Sequence, residues 1–149
     1  MYRQARFYVR SALIYLLAAF TVAAVLLLNQ AFGWDGRLGV LQYVFYHLLM
    51  VGWATQLISG VALWMFPPFT RERPRGNETL GWAAYVALNV GLLLRVVGEP
   101  MHALQPGALA SGLLAISAVL QVAAAWLLVG QLWPRVRQRI TPPSEGRRG

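Results

Sequence analysis

Two histidines, one arginine and one glutamate are the side chains best suited to chemistry in an otherwise apolar chain. His47 stands near the start of an uncharged run that extends from Tyr46 to Pro67. A titratable imidazole is costly to place in hydrocarbon, which makes it a functional candidate by default. Three readings are open. The ring suits axial ligation of haem iron, with Arg95 available to a propionate. It can instead hydrogen-bond a quinone or relay protons. Or it is a structural histidine, satisfied by a helix carbonyl or by a neighbour such as Tyr43. Arg95 and Glu99 are four residues apart, so they meet if their helix continues past Val97, either as a ligand clamp or as an interfacial ion pair with a snorkelling arginine. His102 falls in the Gly- and Pro-containing stretch 98–107, where solvation is the more natural state and no spacing motif ties it to a metal, but as the one other histidine it is the remaining cofactor-binding candidate, a second haem ligand if its loop folds inward.

The elements that must position these residues are membrane spans. Of 149 residues 58% are hydrophobic and only 12% charged, and the charges sit between apolar runs, so no polar-patterned stretch is left for a separate soluble core. The predicted fold is all-α, an integral membrane bundle of four transmembrane helices. It forms a single domain over residues 1–140, with spans at about 11–31, 40–66, 80–97 and 108–133 and a disordered tail at 141–149. The first span exceeds a signal-peptide core and lacks a cleavage pattern. Residues before it, with Arg3, Arg6 and Arg10 among aromatics, suit a short interfacial segment. The second span is about 40 Å long, more than a ~30 Å hydrocarbon layer needs, so it should tilt or project, and Pro67-Pro68 ends it. Asn77 is placed to cap the third span, with Glu78 at its positive end. That third span, interrupted by Asn89 and Arg95, has the weakest hydropathy signal, and a helix lying on the surface is its alternative.

Orientation follows from the arginines. The formal charge is +8 and every basic residue is Arg. All but Arg37 and Arg95 lie in the N-terminal segment, the loop after the second span or the tail, which predicts both termini in the cytoplasm. An excess distributed in this way reports topology rather than nucleic-acid binding. His47, about 10 Å below the outer end of its span, then shares the outer side with Arg95, Glu99 and His102. The absence of cysteine excludes disulfides, iron–sulfur clusters and thiolate metal sites. No hydrolytic triad, phosphate-cradling glycine loop or paired acids occur, so catalysis by this chain alone is not expected. Gln56, Asn89 and Gln121 lie near the middle of three spans, where interhelical amide bonds account for them. Gly52 and Gly60 leave room for close approach, by a neighbouring helix or by a flat cofactor.

The pattern His47-x-x-x-x-Gly52-Trp53-x-x-Gln56-x-x-x-Gly60-Val61-Ala62-x-Trp64-Met65-x-Pro67 resembles the second-helix region of haem–copper oxidase subunit I relatives, in which a histidine near the outer end ligates low-spin haem. It is more similar still to short, four-span bacterial membrane proteins of the oxidase subunit-I-like kind, and also to membrane proteins associated with nitric oxide response. Arg75-Gly76-Asn77-Glu78, Leu88-Asn89-Val90-Gly91 and Trp133-Pro134-Arg135-Val136 fit that short group. The resemblance implies a b-type haem on His47, a bacterial inner-membrane location, and a respiratory complex or a second copy of this chain as partner. It also implies a limit. Catalytic relatives carry more histidines over a longer chain, and two histidines cannot build a three-histidine copper site. An accessory or haem-carrying module is expected, against the alternatives of a cofactor-free structural subunit or a quinone-binding protein.

Overall fold

The computed structural model describes residues 3–66 and 78–136. Four helices are long and apolar enough to cross a membrane: α1 (Arg3–Phe32), α2 (Gly36–Met65), α3 (Glu78–Leu104) and α4 (Ala108–Val136). No strand occurs among the described residues. The expected all-α bundle is therefore the fold. Pro67-Pro68, the Asn77 cap and the tail beyond residue 140 lie outside the described residues.

Burial identifies the solvent. The most apolar helix, α1, is the least buried, with 11% of its most apolar window inside the bundle, whereas the least apolar, α2, reaches 33%. In water that ranking would be reversed, since the most apolar helix would gain most from burial. Leu17, Leu109 and Trp126 are among the many large apolar side chains that point outward. This is a multi-pass membrane protein in contact with lipid.

All four helices are longer than the sequence predicts, α2 because it starts four residues early in a 3-10 turn. The stretch before Ser11, expected as an interfacial segment, is the first part of α1. α3 does not stop at Val97 but runs through Pro100 to Leu104. Pro100 removes one backbone donor, and the ladder resumes beyond it with Gln105 N–H on the Met101 carbonyl at 2.9 Å. The loop expected at 98–107 therefore shrinks to its last three residues. α4 likewise continues through Pro134. Between α1 and α2, Gly33 adopts φ +65°, the left-handed cap conformation, and donates to the Asn29 carbonyl at 2.8 Å. The Asn29 side chain then accepts from Asp35 N–H at 2.8 Å, and the Asp35 carboxylate accepts from Arg37 N–H at 2.9 Å.

The helices run up and down, so one end of the bundle gathers Arg3, Met65, Glu78 and Val136, here called the near end. The far end holds Phe32, Gly36, Leu104 and Ala108. α1 and α3 are parallel and hold one register over four successive turns. Gln4 donates to the Glu78 carbonyl (2.7 Å), Tyr8 to the Gly81 carbonyl (3.4 Å), Ser11 meets the Tyr85 hydroxyl, and Tyr15 donates to Asn89 Oδ1 (2.9 Å). The α1–α2 seam is closed at two glycines. A Cβ on Gly52 would stand 2.8 Å from Tyr15 Cβ and 3.0 Å from Leu92, and one on Gly60 would stand 3.0 Å from Tyr8 Cβ. Both glycines thus admit a neighbouring helix, and neither leaves a slot for a flat cofactor.

α2 is not regular. It opens with a 3-10 turn at Gly36–Val40, is α-helical over Leu41–His47, widens into a π-helix over Leu48–Thr55 and returns to α over Gln56–Met65. Thr55 Oγ1 donates to the Met50 carbonyl five residues back, at 2.8 Å, in step with the wider turn. Such widened turns are uncommon and concentrate at functional sites.

Candidate functional site

The widened segment begins on the residue after His47, and α3 passes beside it through Glu99. His47 Nδ1 lies 2.9 Å from the Tyr43 carbonyl oxygen and 3.2 Å from Glu99 Oε1. Both oxygens are acceptors, so Nδ1 is the nitrogen that carries hydrogen. Nε2 is the ring nitrogen that contacts neither oxygen. Arg95 Nε donates to the same Glu99 Oε1 at 2.9 Å, an i, i+4 pair made possible by the continuation of α3 past Val97. The far end therefore carries a three-residue cluster across α2 and α3, with Glu99 at its hub.

Burial makes the cluster asymmetric. Side-chain exposure is 26% for His47, 27% for Arg95 and 12% for Glu99. Glu99 Oε1 takes both contacts, while Oε2 is buried with no hydrogen-bond partner. An orphaned buried carboxylate oxygen costs roughly 1–3 kcal/mol, so it is a position where an arriving donor is stabilised. His102 does not sit in a solvated loop, as its sequence context suggests it should. It belongs to the last turns of α3, three residues past Glu99, and its Nδ1 is buried without a partner.

The structure thus brings His47, Arg95 and Glu99 together and sets His102 on the next turn without joining it to them. Among the described residues, no group of three His, Asp or Glu side chains gathers as a metal cage. A haem enclosed by the four helices does not fit, because Gly52 and Gly60 are filled by α1. One axial bond from the half-buried face of His47 does fit, since Nδ1 is held and Nε2 is not. Sequence spacing presents Glu99 only as the partner of Arg95. The signal that it is the hub is its place on the same predicted side as His47.

The midplane amides behave otherwise. Asn89 Oδ1 accepts from Tyr15 and from Gln56 Nε2 (3.2 Å), and Asn89 Nδ2 donates to the Tyr85 carbonyl (2.8 Å) and to Gln56 Oε1 (3.4 Å). Gln56 and Asn89 form the expected interhelical bond. Gln121 does not: it donates to Ser117 on its own helix at 3.4 Å, and Ser117 makes the bond to α3 through the Gly91 carbonyl at 2.7 Å. The hydroxyl is short enough to reach the backbone where Gly91 lets the helices close, and the longer amide is not needed there.

Comparison with protein-family models, with curated proteins and with solved structures gave no match.

Proposed function

We propose that this chain is a small accessory subunit of a respiratory membrane complex related to the haem–copper oxidases or nitric oxide reductases, and that His47 Nε2 serves as an axial ligand to a b-type haem. The observation that carries the reading is that His47 Nδ1 is held between two acceptor oxygens. Ligand histidines ordinarily have their other nitrogen held by a carboxylate or carbonyl, which sets the tautomer and the ring orientation. His47 has both, in Glu99 and Tyr43. Because α1 fills the glycine positions, the group would lie against the outside of α2, between this chain and a larger haem-containing complex or a second copy. A b-type haem held there would supply one-electron chemistry or a coordination position for a gas such as nitric oxide. Glu99 orients the imidazole and Arg95 holds Glu99. The proposed setting is the inner membrane of a bacterium, with both termini in the cytoplasm and the cluster on the outer side. The chain carries no catalysis of its own in this reading.

The test is absorption of wild type, His47→Ala and Glu99→Gln, each purified in mild detergent from a haem-replete host with whatever complex accompanies it. A Soret band attributable to this chain is expected in wild type, lost in His47→Ala and shifted in Glu99→Gln. A folded wild type whose spectrum is indifferent to His47→Ala ends the haem reading. Reporters at Asp35 and Met101 should be external; a cytoplasmic signal at Met101 overturns the orientation.

A second reading is favoured by the orphaned Glu99 Oε2 and His102 Nδ1. A quinol hydroxyl would donate to Glu99 Oε2 and a quinone or quinol oxygen would accept from His102 Nδ1 if that nitrogen carries hydrogen, and a quinol analogue that protects Met101 from labelling only when Glu99 is intact would support it. If neither ligand is found, the His47–Tyr43 bond is the mark of a cofactor-free structural subunit.

A further inference from the structure

The α1–α2 seam, closed tightly at Gly52 and Gly60, opens at the far end into a cleft of about 580 Å³. Asn29 and Gln30 of α1 line it, with Gln42 and Tyr46 of α2 on the other wall and Leu26 and Phe45 in its apolar part. No residue that lines it is charged. The polar side chains do not bond one another across the cleft. Asn29 Oδ1 takes the Asp35 N–H at 2.8 Å, and Gln42 Nε2 makes a long bond to the Tyr46 hydroxyl of its own helix at 3.4 Å. The Gln30 amide, which is exposed, makes no hydrogen bond among the described residues. Donors therefore remain at Asn29 Nδ2, Gln30 Nε2 and the Tyr46 hydroxyl, and acceptors at Gln30 Oε1 and Gln42 Oε1.

We propose that this cleft holds the sugar head of a neutral glycolipid, with the acyl chains leaving sideways into the bilayer. Charge selects the head. Walls without a charge offer nothing to a phosphate or an ammonium, which would have to shed water there without an ionic partner. Hydrogen-bond type selects further. Carboxamides and a phenol present donors and acceptors together, which is what a set of hydroxyls needs, since each hydroxyl both donates and accepts. A ring that only accepts, such as a quinone, would leave the Gln30 and Gln42 oxygens unmatched. A head with a single hydroxyl would leave most of the four side chains unused. The volume lies within the ~300–1,000 Å³ of sites that hold small molecules. Depth agrees as well. α1 is about 45 Å long against a hydrocarbon layer of ~30 Å, so Asn29 and Gln30, in its last four residues, stand at headgroup level while Leu26 reaches the acyl chains. Phe45 and Tyr46 lie one turn deeper than Gln42, and the Tyr46 hydroxyl turns back toward it, an apolar body with a polar tip at the boundary. The cleft is on the Tyr46 side of α2, and the proposal rests on neither His47 nor Glu99.

Native mass spectrometry of the purified full chain tests it, in a polyoxyethylene detergent that carries no sugar. Glucosyl diacylglycerol, diacylglycerol and phosphatidylcholine with the same acyl chains are added in turn. Wild type should retain the glucosyl lipid roughly tenfold better than either of the others, the gain expected of about two neutral hydrogen bonds. Gln30→Leu and Gln42→Leu, both at exposed positions, should each reduce that retention several-fold. Gly39 also lines the cleft, and a Cβ there meets nothing within 4 Å, so Gly39→Trp should fill the space and abolish retention. Gln121→Leu, which removes an amide on α4 outside the cleft, should change nothing. Equal retention of glucosyl diacylglycerol and diacylglycerol overturns the proposal, because the cleft then holds acyl chains alone. Retention unaffected by both Gln30→Leu and Gln42→Leu overturns it too. So does decylubiquinone held more tightly than the glucosyl lipid and lost in Gly39→Trp, which would give the cleft to an acceptor-only ring.

Discussion

The polar ladder at the middle of the bundle is built from neutral amides and hydroxyls, the cluster at its far end from ionisable groups, and the two end in opposite states. Around Asn89 the side-chain groups of Tyr15, Gln56 and Asn89 all have hydrogen-bond partners, and Gln56 is fully buried. Around Glu99, one carboxylate oxygen takes two contacts and the other takes none, and the free nitrogen of His47 lies on a partly exposed ring. A closed network is what structural polar groups in a membrane require, since lipid offers no replacement partner. An open one keeps capacity for something else. Residue type and completeness of pairing both separate the two regions.

Breaking the closed region should have the largest effect. Asn89→Leu orphans the Gln56 amide and the Tyr15 hydroxyl together, so a loss of about 2 kcal/mol is expected, above the ~0.6 typical of one transmembrane hydrogen bond. Reversible unfolding in mixed micelles would measure it. The double variant Gln56→Leu with Asn89→Leu should recover part of that loss, because matched apolar partners leave less to satisfy. If the double is as unstable as the sum of the singles, the ladder is not a closed unit.

Next comes the seam that brings α1 against the ladder. Gly52→Ala drives a methyl into Tyr15 Cβ, which sits close to its own backbone and cannot swing away, and a cost of about 1.5 kcal/mol is expected. Gly81→Ala meets only the ends of two glutamine side chains and should stay within about 0.5 kcal/mol in the same assay. Equal costs would mean that Tyr15 is free to move.

The open region should be the mildest in stability. Glu99→Gln removes a partly exposed ion pair, expected to matter by less than about 1 kcal/mol, while altering whatever ligand His47 meets. A loss as large as that of Asn89→Leu would make the cluster a structural device, and the contrast would collapse.

Much of this is legible in the sequence. The spans can be read because hydrocarbon demands long uncharged runs, and the Arg95–Glu99 and Gln56–Asn89 pairs because helical spacing and shared depth bring such groups within reach. The rest depends on inter-helix register, which a single chain's periodicity does not contain. Tyr8, Tyr15 and Tyr85 look like ordinary span aromatics until α1 and α3 lie side by side in parallel. Gly52 and Gly60 could equally have faced a cofactor. The continuation of α3 through Pro100, which puts His102 on a helix, reflects packing that outweighs one missing backbone bond.

The widened turn after His47 has a consequence for the arithmetic of α2. His47 and Gln56 are nine residues apart, and in a regular helix at about 100° per residue they would lie roughly half a revolution apart, on opposite sides. Both nevertheless touch α3, at Glu99 and at Asn89. The π stretch absorbs about one residue's worth of rotation, so α2 behaves as an ordinary helix carrying one residue too many. Shortening 48–55 by one should therefore leave the two contacts about 80° apart on a plain α-helix, near enough to persist. A deletion in the middle of a membrane span, normally among the harshest changes available, is expected here to be milder than adding a single methyl at Gly52.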